Sequence, residues 1–317
     1  MRAPVARLLA LALLTATPGC GRNDGQGAGA GGDSPGTGTP MGLELEYALA
    51  RKVSPGVGDI QGIAIGTEDK LYAVGVGGLA VFDARGSKLT GWETPGPARA
   101  VAVAEDGTVY VALAARIIAF DPKGKILRQW GKTGSGAGEF KLITSLALSG
   151  GSLYVADAGN KCVHRYAING DLVGSLGKRD RAAGEKGFHI PSPHFDVAVD
   201  AGGRLHVTNP GHQRIEIRNE NGEMLGQWGK PGFDFERFCG CCNPTDIALM
   251  SGGRTVTSEK GIPRVKVYDP DGRMLAYISP DHFPENAAGL DLAADSAGRI
   301  YVAEPVKSAV FVFERKE

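Results

Sequence analysis

The stretch LYVADAGNKCVHRYAINGDLVGSLG (153–177) reads as three short strands separated by two glycine-containing turns. LYVA (153–156) is built of strand formers, VHRYA (163–167) ends next to an aromatic, and LVGSLG (172–177) follows the turn INGD (168–171). Glycine gives such turns the positive φ they need without a steric penalty. The phrase recurs. Its opening quartet reads LYAV (71–74), VYVA (109–112), LYVA, LHVT (205–208), TVTS (255–258) and IYVA (300–303), at spacings of 38, 44, 52, 50 and 45 residues. The next strand keeps step as LAVFD (79–83), IIAFD (117–121), VHRYA, IEIRN (215–219), VKVYD (265–269) and VFVFE (310–314).

With the strand that precedes each quartet and the one that follows each glycine turn, every unit has four strands. One such unit cannot bury both faces, so a period of this length indicates blades packed radially. The expected fold is all-β: a six-bladed β-propeller of four-stranded antiparallel blades. The sixth unit stops before its fourth strand, and LELEYALA (43–50) resembles the missing one. Pairing 43–50 with 310–314 would close the ring and hide both edges.

The chain of 317 residues carries 35 basic and 35 acidic side chains. Without residues 1–19 it loses Arg2 and Arg7 and no acid, leaving 33 against 35. That balance lacks the basic footprint of a nucleic-acid binder, and no nucleic-acid partner is expected. Residues 1–20 have a positive start, the apolar run LLALALL (8–14) and TATPGC (15–20), too short for a permanent membrane span. With Cys20 at the junction, the segment resembles a bacterial lipoprotein signal, which implies lipidation of Cys20 and a periplasmic or cell-surface location. An ordinary secretory leader is the alternative. Residues 21–42 form a Gly-rich, almost apolar-free tether expected to be disordered. The propeller is expected over 43–317, as a monomer.

Asp157, Asn160 and the strand Val163 to Tyr166 resemble the NHL repeat, with Cys162 in the slot that the repeat gives to Arg. The fourth unit offers Asn209, His212 and Arg214, the fifth Glu259 and Arg264, the sixth Glu304, and the second only Arg116. The resemblance covers 43–317 and implies the fold. Propellers of this kind serve as lyases, sensors and binding platforms alike, so it does not choose a function. It does imply that the loop between the second and third strands of a blade shares a face with the loop leading into the blade. Rigid scaffolds display function on loops, so candidate ligand-binding residues on that face are Arg116, His194, Asp196, Arg214, Asp246, Glu259, Lys260 and Arg264. Asp196 and Asp246 fall where innermost strands begin, at positions aligned with Gly62, Ala100, Ser145 and Gly289.

FCGCCNP (238–244) places three thiols in one loop, Cys239, Cys241 and Cys242, and Cys162 is expected on the same face. Two disulfides are one reading for an exported chain. Adjacent Cys241 and Cys242 bridge poorly, so thiolate binding of Cu, Zn or an iron–sulfur cluster, or thiol redox chemistry, stands open beside the disulfides. His164 and His206 lie in strands and are expected to be structural. No nucleophile elbow, phosphate loop or HExxH is present. Two functions remain: a tethered module that binds a protein or small molecule on the loop face, and a metal- or thiol-dependent lyase or redox enzyme. The absence of a catalytic set favours the first.

Overall fold

The computed structural model describes residues 42–178 and 187–316. The leader, Cys20 and tether residues 21–41 lie outside the described residues. Six four-stranded antiparallel sheets form a six-bladed β-propeller, with a short parallel pair, Lys132–Thr133 beside Glu139–Phe140, and short 3-10 turns besides. Blade 1 runs Ile60–Ile65, Leu71–Gly75, Gly78–Phe82 and Lys88–Trp92. Blade 2 runs Ala100–Val103, Val109–Ala112, Ile117–Phe120 and Ile126–Trp130. Blade 3 comprises Ile143–Ser149, Ser152–Asp157, Cys162–Ala167 and Leu172–Leu176. Blade 4 comprises Val197–Val199, Leu205–Asn209, Arg214–Arg218 and Met224–Trp228. Blade 5 has Asp246–Leu249, Thr255–Glu259, Arg264–Tyr268 and Met274–Ile278. Blade 6 has Asp291–Ala294, Ile300–Glu304 and Ala309–Arg315, completed by Tyr47–Val53.

The closing strand sits a few residues later than the sequence suggests. Tyr47 pairs with Arg315 and Val53 with Val310, with a bulge between Leu49 and Arg51. Residues 43–45 belong to another neighbour. The Leu45 N–H donates to Leu275 O of blade 5 at 3.0 Å, and Leu45 is buried in the core shared by blades 5 and 6. The alternation in LELEY marks extended chain but not which blade receives it.

Blades are held together by their aromatic edges. Trp92 packs on Phe120 of blade 2 at 5.9 Å, Trp130 on Tyr166 of blade 3 at 5.9 Å, and Trp228 on Tyr268 of blade 5 at 4.8 Å. The turn glycines are seats for these tryptophans. Gly124 adopts φ +86°, and a Cβ there would lie 2.7 Å from the Trp92 ring. Positive φ and close packing therefore both demand glycine at this position.

Candidate functional site

In blades 3, 4 and 5 the polar slot of the repeat fastens the blade to the loop that leads into it, and in blade 6 it ties down the blade's own next loop. Buried Asp157 accepts the N–H groups of Lys141, Leu142 and Asn160 at 2.9, 3.0 and 3.0 Å. Asn209 accepts the His189 N–H and donates to Glu216, while Glu304 accepts from Val306 and Lys307. The carboxylate at Asp157 is held down to about 2 despite burial, because His164 and these backbone donors favour its charge.

In blade 5 the same slot holds Glu259, wholly buried with Arg264 and Lys266. Arg264 Nη2 donates to Glu259 Oε2 at 3.0 Å, Lys266 pairs with Oε1, and the Cys239 thiol lies 3.5 Å from Oε2. Burial pulls the Lys266 ammonium down to about 8 against the pull of Glu259. This corrects the expectation for Glu259 and Arg264: they face each other inside the blade, where a ligand on the loop face does not reach them. Arg214 is likewise engaged, its Nη2 2.6 Å from Glu216 Oε1. Arg116 is exposed beside a tight turn of blade 2.

The channel carries the larger correction. Asp246 pairs with Ser258 and Asp291 with Ala303, each opposite the last residue of a quartet. Asp196 stands at the same level, its N–H donating to Thr208 Oγ1 at 2.8 Å. The blade 6 counterpart of Asp196 and Asp246 is thus Asp291, two residues beyond Gly289. Each carboxylate reaches across to the next blade. Asp196 Oδ2 accepts Ile247 N–H at 2.7 Å, Asp246 Oδ1 accepts Leu292 N–H at 2.9 Å, and Asp291 Oδ2 accepts Ile63 N–H at 2.6 Å. The equivalent positions in blades 1 to 3 are Gly62, Ala100 and Ser145.

Three carboxyls so close and so dry cannot all be charged. Burial raises Asp196 to about 6, while hydrogen bonds from Ser145 and the backbone restrain the rise. Burial and then the charge of Asp196 lift Asp291 to about 8 and carry Asp246 well above the carboxylate range. Below these groups the innermost strands line a cavity of about 280 Å³.

Above them lies the mouth, a cavity of about 120 Å³ lined by Arg99, Gln61, Thr144, His194, Thr245 and the acids Asp246 and Asp291. His194 packs against Gly289, where a Cβ would come within 2.7 Å of Cε1. Burial, then Lys260 and Arg99, push this imidazole down to about 4, so it is neutral at physiological pH. Arg99 is half-buried; its Nε is buried without a hydrogen-bond partner, and its guanidinium makes no ion pair among the described residues. The sequence reading missed Arg99 and Asp291. Register supplies the signal for both: Arg99 precedes the channel position of blade 2, and Asp291 is found by pairing back from IYVA.

His194 also borders a more open groove of about 470 Å³, together with Ser192, Cys241, Cys242, Lys260 and Glu285. Asn243 Nδ2 donates to the carbonyls of Cys239 and Lys260, and Asn243 Oδ1 accepts the Lys260 N–H. The cysteine loop is thereby fixed on the same face as the channel mouth. Its sulfurs diverge: Cys239 turns inward to Glu259, while Cys241 Sγ and Cys242 Sγ lie 3.1 Å apart at the groove. Cys162 is buried in blade 3, 3.4 Å from His164 Nε2, its thiol pushed up to about 12 by burial. The four sulfurs thus occupy three environments, with no disulfide between them. Among the described residues, no three His, Cys, Asp or Glu side chains are placed to hold a metal ion.

Neither the protein-family models nor the curated proteins give a match to this sequence. Solved structures do match the fold. Virginiamycin B lyase from Staphylococcus aureus aligns with TM-score 0.56 at 14% identity, over 84% of this chain and 99% of that one. The WD40 propeller domain of Doa1 aligns with TM-score 0.57 at 13% identity, over 86% and 98%. Glutaminyl cyclase from Myxococcus xanthus gives 0.50 at 10% identity, over 86% and 98%. Two enzymes and a WD40 domain share the architecture, so the likeness is one of fold.

Proposed function

We propose that this chain is a binding module whose loop face takes the acidic group of a small ligand at the channel mouth. The observation that carries the reading is the Arg99 guanidinium, which lines the mouth beside His194 with a buried Nε and no ion pair among the described residues. Arg presents a planar fork that suits a carboxylate or phosphate. Neutral His194 offers a further polar atom, and Lys260 adds positive charge on its groove side. Asp246 and Asp291, the acids that line the mouth, are held protonated at neutral pH by burial, which limits their repulsion of an anion.

Thermal shift and calorimetry with citrate, sulfate and inorganic phosphate test this. At least one should stabilise the protein, and Arg99→Gln should abolish the effect while leaving the unliganded melting temperature within about 1 °C, as expected of a site outside the packed core. No response to any anion, or an unchanged response in Arg99→Gln, would refute the reading.

The Asp157–Asn160 clamp supports an NHL-type relationship for the repeats. Residues 1–20 and the Gly-rich stretch support an extracytoplasmic domain tethered through lipid on Cys20. Incorporation of labelled palmitate that disappears in Cys20→Ser checks the anchor; labelling that persists in the variant excludes it.

A further inference from the structure

The groove beside the mouth contains a second chemistry, carried by Cys241 and Cys242 and independent of the anion reading. Their sulfurs are 3.1 Å apart, Cys241 exposed and Cys242 half-buried. The backbone on either side is fixed: Gln213 Nε2 donates to Gly240 O at 2.6 Å, and Asn243 ties the far side to Cys239 and Lys260. Ser192 lines the same groove with its Oγ buried and directed to the Cys242 thiol.

The sulfur separation discriminates among thiophilic ions. With metal–sulfur bonds of about 2.3 Å, a linear two-coordinate ion such as Cu(I) needs sulfurs ~4.6 Å apart and a tetrahedral ion such as Zn(II) needs ~3.8 Å. At the same bond length, the observed spacing subtends roughly 85° at the ion. That narrow bite belongs to a trigonal pyramid, the shape of a trivalent centre with a lone pair. We propose that Cys241 and Cys242 form a chelating site for trivalent arsenic, presented as arsenite. This puts a different thiophile in the place of the expected Cu, Zn or iron–sulfur ligand.

The reaction involves no oxidation. Arsenous acid, As(OH)3, exchanges two hydroxyls for the two sulfurs: two S–H and two As–O bonds break, two As–S bonds form, and two waters leave with the thiol protons. The third hydroxyl stays on arsenic, so two protein ligands suffice and no cluster of three side chains is needed. Ser192 Oγ lies in the same groove as a hydrogen-bonding group for that hydroxyl.

The test is an anaerobic titration of the reduced chain with arsenite, followed by near-ultraviolet sulfur-to-arsenic absorption and by a thiol count. One arsenic should bind per chain and remove two thiols from the count. Peptide mapping after alkylation, compared with the arsenite-free protein, should show arsenite-dependent protection at Cys241 and Cys242 alone, Cys162 and Cys239 being shielded by burial in both samples. Cys241→Ser and Cys242→Ser should each weaken binding by roughly 100-fold, because the second As–S bond is an intramolecular closure. Arg99→Gln should bind arsenite like the parent, which separates failure of this proposal from failure of the anion site. Arsenite-dependent protection of cysteines other than Cys241 and Cys242, undiminished binding in either serine variant, or equimolar Cu(I) or Zn(II) displacing arsenite would overturn it. The mapping on the parent protein decides the matter even if a serine variant fails to fold.

Discussion

Blade 5 and the channel wall each bury several ionisable groups, and they solve the problem in opposite ways. Inside the blade, Glu259 is neutralised by Arg264 and Lys266. Around the channel, Asp196, Asp246 and Asp291 form no ion pair among the described residues and rely on protons and on backbone N–H groups from neighbouring blades. The first arrangement is closed and carries its counter-charges within one strand pair, although burial brings the Lys266 ammonium down to about 8. The second changes charge near neutrality and faces a cavity. A buried charge with its counter-charge in the same strand pair is structural material, whereas carboxyls kept uncharged by burial mark a surface that can respond.

The sharpest way to break this contrast is Glu259→Gln. It leaves Arg264 and Lys266 buried without compensation and should cost about 3–5 kcal/mol in urea unfolding. A loss below about 1 kcal/mol would mean that the cluster does not carry the structural role assigned to it.

Asp246→Asn should act in the other direction. The three channel carboxyls bind protons more tightly folded than unfolded, so the native state holds more protons and stability falls as pH rises from about 4, the unfolded value, through about 6 and 8. An amide oxygen can still accept the Leu292 N–H while removing one charge. The variant should therefore be more stable at pH 8, by on the order of a few kcal/mol, and show a flatter pH profile than the parent. Parallel profiles for the two proteins would remove the channel carboxyls as the source of the slope. Arg116→Ala sets the baseline: exposed and outside both assemblies, it should shift stability by no more than about 0.5 kcal/mol at any pH.

The repeat quartets made the fold legible because a β-blade needs the same alternation each time, and six copies leave little freedom. The closing strand was legible in kind but misplaced, since Leu43 and Leu45 pack against blade 5 before Tyr47 begins to pair. Aspartates at the channel were visible in blades 4 and 5. Asp291 was not, because the glycine in AAGLDL drew the alignment two residues early, and only strand register corrects it. Spacing could not separate Cys239 from Cys241 and Cys242. Their divergence depends on Gly240, whose positive φ of 71° turns the loop between one sulfur facing Glu259 and two facing the groove.

The closing strand also dictates an order of events. Tyr47–Val53 leaves the ribosome before any blade exists, yet its partner Ala309–Arg315 comes after all five of the others. Throughout synthesis an early strand carries unsatisfied N–H and C=O groups while five blades stack without a closed ring. Interruption anywhere before residue 309 therefore yields an open arc with two bare edges, and the blades become a single cooperative unit only when the last-made strand captures the first.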